Sequence, residues 1–347
     1  MQASTKDTLK IAFCRLLVGF QVHHVFRCIN RHRLLVLNYH GVCQDDYDPP
    51  IWTQLPRKLF VQQIAYLRKH YNFISMQEFI AALRNGTKLP QRSVLLTFDD
   101  GLRNNYHVVF PILKQYEIPA TIFLTTDYLD TDSILWFDEL FFLLRAAKKH
   151  GGKLPIEQLT HCGDIRTTDL WSYYVTAVES LKRMLPRERQ IILKQLRSEV
   201  DFDINGKIED FGILSTQQIL EMSNSGLVDF GIHTANHRIW GNLPSKEWSE
   251  EIREPREKLA RLLNREIPSF CYPNGKPDVD FNKNHADFLK KIEYQCAFTT
   301  NLGLYDFKKD NPFYIKRIAA GHDITSNLPY FVLNTGGFWS FIKEIFN

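Results

Sequence analysis

The sequence predicts an α/β fold built on a mostly parallel sheet, interrupted by a helical insertion. Short apolar runs recur along the chain, each followed by polar or turn-forming residues, and helical patterns lie between several of them. Runs of this length, bounded in this way, suit strands buried on both faces, as a parallel sheet requires. From Leu135 to about Glu221 that strand signal stops and helix formers dominate. The pattern leaves open whether the sheet stays open or closes into a barrel.

The expected strands are residues 34–37, 94–98, 120–125, 227–232, 269–272 and 296–299. Between them, residues 58–69 place Phe60, Ile64 and Leu67 on one helical face, and 76–83 and 108–115 read similarly. Within the insertion, helices are expected over 138–149, 169–185, 188–199 and 216–223. With 347 residues, 44% of them hydrophobic, one domain of about 250 residues with additions is as compatible as two domains. The expected organisation is a basic amphipathic helix over 1–33, a β/α unit over 34–330 with an insertion at about 145–221, and an amphipathic tail over 331–347. No internal repeat supports a solenoid.

The formal charge of +4, from 43 basic and 39 acidic residues, is too balanced to argue for nucleic acid. The excess is concentrated at the start, where Lys6, Lys10, Arg15, Arg27, Arg31 and Arg33 face Asp7 alone. The apolar patch in this leader is broken by Arg15 and is too short to span a bilayer, which needs roughly 20 apolar residues. Without a small-residue cleavage site after a continuous apolar core, it does not read as a secretory signal. An amphipathic helix there either packs on the fold or lies on an anionic membrane surface, and residues 338–346 raise the same question. The six cysteines form no Cys-x-x-Cys pair and read as free thiols of a reducing compartment. The expected location is cytoplasmic, peripheral to the inner membrane face.

Three strand ends carry chemistry. Asp99 and Asp100 end the run 94–98 and precede Gly101. Two like charges side by side are costly unless used, and a metal ion can bind one carboxylate while the other acts as a base. His233 and His237, after the run 227–232, fall at i and i+4 and are expected on one face of a helical turn. With one carboxylate they make a two-histidine, one-carboxylate metal site with open positions. His40 ends the first run. In β/α barrels such strand ends converge on one catalytic rim.

These residues resemble the polysaccharide deacetylase family, also called the NodB homology or carbohydrate esterase family 4 domain, over roughly 34–145 and 212–320. Thr97-Phe98-Asp99-Asp100-Gly101 is similar to the family's first motif and His233-Thr234-x-x-His237 to its second. Asn38-Tyr39-His40-Gly41 and Phe270-Cys271-Tyr272-Pro273-Asn274-Gly275 are similar to segments of its circularly permuted branch. The resemblance implies a distorted (β/α)7-8 barrel of NodB type. It also implies a divalent metal, zinc first, on Asp100, His233 and His237, with Asp99 as base and His40 as general acid.

His322, in a Gly-His-Asp context, rivals His40, but His40 is preferred because no strand is apparent before His322. Where unpermuted members carry an arginine that pairs with the catalytic aspartate, this chain offers Cys271, and Arg317 is the candidate replacement. Thr234 is expected to orient the metal loop, Tyr272 and Pro273 to line the groove, and Trp240 with Leu243 to wall the acyl methyl. The implied activity is metal-dependent N-deacetylation of an N-acetylated glycan or lipid-linked saccharide. The alternatives are O-deacetylation, N-deformylation of a sugar precursor, or a catalytically silent glycan-binding protein, which the intact residue set disfavours.

Overall fold

The computed structural model describes residues 5–47, 50–150, 157–200, 203 and 205–346. The expected segment ends at 1–4 and 347, and insertion residues 151–156, 201–202 and 204, lie outside the described residues. Seven strands form the body: β1 (Leu35–Tyr39), β2 (Ser93–Phe98), β3 (Ala120–Leu124), β4 (Val228–Ile232), β5 (Ser269–Cys271), β6 (Cys296–Leu302) and β7 (Ile315–Ala319). Each pairs in parallel with its sequence neighbours, and β1 pairs with both β2 and β7, so the sheet closes into a barrel. Closure removes the sheet edge.

Alternation along the strands decides what the barrel encloses. Val36, Leu95, Phe123, Cys271, Phe298 and Ile315 form one apolar cluster with Phe79, while Leu35, Leu37, Tyr39, Leu96 and Phe98 join the larger core under the surrounding helices. Stepping by two from the first set reaches Asn38 and His40 after Val36, Thr97 and Asp99 after Leu95, and Arg317 after Ile315. The inner face thus turns from apolar to polar at the C-terminal ends of the strands.

In chain order the helices are α1 (Thr5–Gly19), α2 (Val22–Ile29), α3 (Arg57–His70), α4 (Met76–Asn85), α5 (Phe110–Tyr116), α6 (Trp136–His150) and α7 (Leu170–Leu181). They continue with α8 (Pro186–Glu199), α9 (Ile208–Phe211), α10 (Thr216–Asn224), α11 (Glu254–Leu263), α12 (Lys283–Lys291), α13 (Leu328–Thr335) and α14 (Phe338–Phe346). Helices α6 to α9 share their own core, in which Leu140, Leu144, Tyr173, Ala177, Leu193, Leu196 and Phe211 are buried together. α10 belongs elsewhere, because its Ile219 and Met222 join the barrel core.

The expected single leader helix is two helices, bent by 74° at a break where Gln21 has φ 59°. α1 packs through Cys14, Leu17 and Val18 on Tyr330 and Leu333 of α13 and Phe338 of α14. Among the described residues no single helix is long and apolar enough to cross a membrane, although α1 and α2 together match a span in length and composition. Of the cysteines, all six are free and only Cys28 is exposed.

Candidate active site

The rim is shaped by backbone turns. Asp100 and Gly101 have φ of 73° and 77°, so the chain reverses sharply out of β2. A side chain on Gly101 would meet Leu124 Cδ2 at 2.7 Å, which leaves glycine at a position that already disfavours other residues. After β4, Thr234 and His237 also have left-handed backbone, with φ of 62° and 52°. The two histidines therefore sit on a looped turn rather than the expected helical face. Thr234 holds that loop: its Oγ1 accepts from the Arg238 backbone N–H at 3.1 Å, and its carbonyl accepts from Thr126 N.

The loop nevertheless brings both imidazoles to one carboxylate. His233 Nε2 lies 3.6 Å and His237 Nε2 3.4 Å from Asp100 Oδ1, and the three potential ligand atoms lie within 4.8 Å of one another. His233 Nδ1–H donates to the Cys271 carbonyl at 2.8 Å, which leaves its Nε2 lone pair for a ligand. Asp100 is fully buried and neither of its oxygens has a hydrogen-bond partner. Burial, with the charges of Asp99 and Asp138, pushes its pKa well above the carboxylate range. Burial likewise holds both histidines below their ordinary pKa, in the neutral form that binds metal. A carboxylate without a partner beside two neutral imidazoles is a donor set that fits a divalent cation.

Asp99 is held differently. Arg317 reaches from β7 to donate Nη1–H to Asp99 Oδ1 and Nη2–H to Oδ2, both at 2.8 Å, while its Nε–H donates to the Thr299 carbonyl at 2.8 Å. The same guanidinium lies 3.2 Å from Cys271 Sγ. Burial alone raises the Asp99 pKa, but Arg317, with His233 and His40, outweighs it and holds the carboxyl far below the usual range. Adjacent aspartates thus acquire opposite tendencies, which is how one site separates a base from a ligand.

A cavity of about 360 Å³ is lined by His40, Asp99, Asp100, His233, His237, Tyr272 and Arg317. Trp52, Trp136, Phe137 and Ile239 complete its apolar wall. Trp240 and Leu243 do not line it: Trp240 is wholly buried against Phe270, Tyr272, Trp248 and His285, and Leu243 joins the same core. Their neighbour Ile239 lines the wall instead, while Trp240 turns into the core. Pro273 is also absent from the lining, whereas Tyr272 remains, stacked on Phe281 at 3.6 Å.

His40 touches Trp52 edge-on at 4.9 Å, and burial lowers its pKa to about 4, against the opposing pull of Asp99. His322 does follow a strand, since β7 ends at Ala319, but it points to Asp46 at 3.5 Å and lies outside the cavity lining. The aromatic contributions of Trp52, Trp136 and Phe137 had no periodic signal in the sequence. A Trp-Phe pair at the start of an insertion was their only trace.

The model of the family described as "Polysaccharide deacetylase" matches residues 86–164 and 172–297. The chain is a polysaccharide deacetylase family member. A poly-beta-1,6-N-acetyl-D-glucosamine N-deacetylase of Staphylococcus epidermidis is 44% identical over 71 residues, covering 20% of this chain and 24% of that protein. Its namesake in Staphylococcus aureus is 39% identical over 75 residues, covering 21% and 26%. The chain thus matches about a quarter of the length of these curated relatives. Among solved structures, a polysaccharide deacetylase from Bacillus cereus superposes with a TM-score of 0.56 at 18% identity, over 87% of this chain and 69% of that one. IcaB from Ammonifex degensii gives 0.56 at 20% identity, over 88% and 98%. These likenesses establish that this family member shares the NodB-type β/α barrel.

Proposed function

We propose that this polysaccharide deacetylase is an amide hydrolase that removes the acetyl group from an N-acetylated amino sugar of a glycan. The observation that carries the reading is the split between Asp99, ionised by Arg317, and the partnerless Asp100 beside His233 and His237, all in one cavity. The staphylococcal relatives, named for N-deacetylation of a glucosamine polymer, support the substrate class.

Asp100, His233 and His237 would hold a divalent metal, zinc first, which when bound supplies Lewis acidity and lowers the pKa of water. Asp99 would accept a proton from the attacking water, and Arg317 holds both its charge and its orientation. His40, which lines the same cavity, would protonate the departing amine. Because burial keeps that imidazole neutral, its proton arrives during turnover, with Asp99 the adjacent donor once it has been protonated. Trp52 and Phe137 offer apolar surface to a sugar ring.

The test is amine release from acetylated glucosamine oligomers by the metal-loaded chain and its Asp99→Asn variant. Loss of release with metal content unchanged supports the assignment; full activity in the variant rejects it.

The reading extends to a membrane surface, where a lipid-linked saccharide is a fitting substrate. Leu9, Phe13, Leu16, Phe20, Val25, Ile29, Phe341, Ile345 and Phe346 are exposed on α1, α2, α14 and the turn between the first two. Lys6, Arg15 and Arg31 are exposed among them, which suits anionic lipid.

A further inference from the structure

Away from the aspartates, the same cavity runs to the insertion, where Tyr174, Val178, Lys182 and Arg189 line it. Three arginines are buried among the described residues. Arg317 has Asp99, and Arg27 has the Tyr66 hydroxyl and His24. Arg189, in α8 and 8% exposed, lies over the face of Trp136, 4.5 Å from its guanidinium, and has no hydrogen-bond acceptor among the described residues. No carboxylate pairs with it among the described residues. The neighbouring cations are already neutralised, Arg238 by Glu247 and Glu251 and Lys182 by Glu179.

With no protein acceptor among the described residues, the guanidinium's N–H donors remain available to a ligand that enters the cavity Arg189 lines. The planar fork matches an oxyanion in two-point fashion. The stacking on Trp136 holds it in place but satisfies none of its donors.

We infer that the insertion end of the cavity is a subsite for an oxyanion, phosphate or carboxylate, carried on the substrate sugar and bound by Arg189. The inference rests on the amino-sugar reading of the aspartate site, and it narrows the substrate to an acidic N-acyl saccharide or a saccharide phosphate.

Binding is measured calorimetrically on the full-length, metal-loaded Asp99→Asn chain with three probes: N-acetylglucosamine, its 1-phosphate, and N-acetylglucosaminuronic acid. At low ionic strength at least one acidic probe is expected to bind about tenfold or more tightly than the neutral sugar, and the preference to shrink as salt rises. The better of the two acidic probes identifies phosphate or carboxylate as the source. Arg189→Gln is expected to bring the acidic-to-neutral ratio close to one, and Arg189→Lys to keep part of it. Equal binding of all three probes by the parent, or a ratio that survives Arg189→Gln, overturns the subsite. Should the glutamine variant unfold, the lysine variant and the salt series decide. Amine release from neutral acetylated oligomers by the parent chain tests the reaction separately. Release without anion preference removes only the subsite, and anion preference without release from any acetylated sugar removes only the reaction.

Discussion

Arg317 grips both oxygens of Asp99 inside the barrel, so it is the largest favourable influence on the charge and position of that carboxylate. Its removal leaves a buried anion unpaired, which costs on the order of 3–5 kcal/mol. Arg317→Ala is therefore expected to lower the melting temperature and to move the acid limb of the kcat/KM profile to higher pH, because Asp99 then protonates more easily. An unmoved acid limb in a folded variant contradicts the coupling. Asp100 behaves in the opposite sense: Asp100→Asn is expected to raise the melting temperature of the metal-free chain, by removing a partnerless carboxyl, and added zinc is expected to stabilise the parent but not the variant. Calorimetry with and without metal checks both. Asp99, Asp100, His40 and His233 were legible in the sequence because each closes an apolar run, and strand ends meet at the rim. Trp240 and Leu243 misled because nearness in sequence to His237 is not nearness in the cavity once the backbone turns.

At the scale of elements, the insertion contributes more than mass. α6 brings Trp136 and Phe137 to the cavity, and behind them Asp138 is buried with one carboxyl oxygen unpartnered. Burial raises its pKa to about 8. A carboxyl raised in the folded state favours folding below its unfolded pKa near 4, and that contribution is lost as pH rises through 8. Asp138→Asn is thus expected to match the parent near pH 4 and to gain a melting-temperature advantage of about 2–5 °C by pH 8. A constant difference across a melting series counts against it. In β4, a Cβ on Gly231 would lie 2.6 Å from Phe123 and from Ser269 Oγ. Gly231→Ala is expected to cost about 1–3 kcal/mol by denaturant unfolding. Six barrel strands were visible as apolar runs, but β7 was not, since Lys316 and Arg317 interrupt its pattern. Arg317 is tolerated inside because Asp99, Thr299 and Cys271 receive it, a reason the sequence alone does not display.

For the whole molecule, the terminal helices pack together and leave large apolar residues exposed among the described residues. Leu16→Glu with Phe20→Glu is expected to reduce sedimentation with vesicles containing phosphatidylglycerol, while secondary structure by circular dichroism is kept. Equal sedimentation of parent and variant rejects the membrane reading. The charge asymmetry of the leader was legible, whereas its bend at Gln21 was not, because no glycine or proline marks it. Barrel closure has a further consequence. Asp99, the proposed base, follows the second strand, and its counter-cation Arg317 is on the seventh, more than two hundred residues later. A chain emerging from synthesis carries both aspartates and both histidines before it carries Arg317. Until that last strand docks against the first, Asp99 lacks the guanidinium that holds it ionised, so the proposed base is left without its counter-cation in the nascent chain.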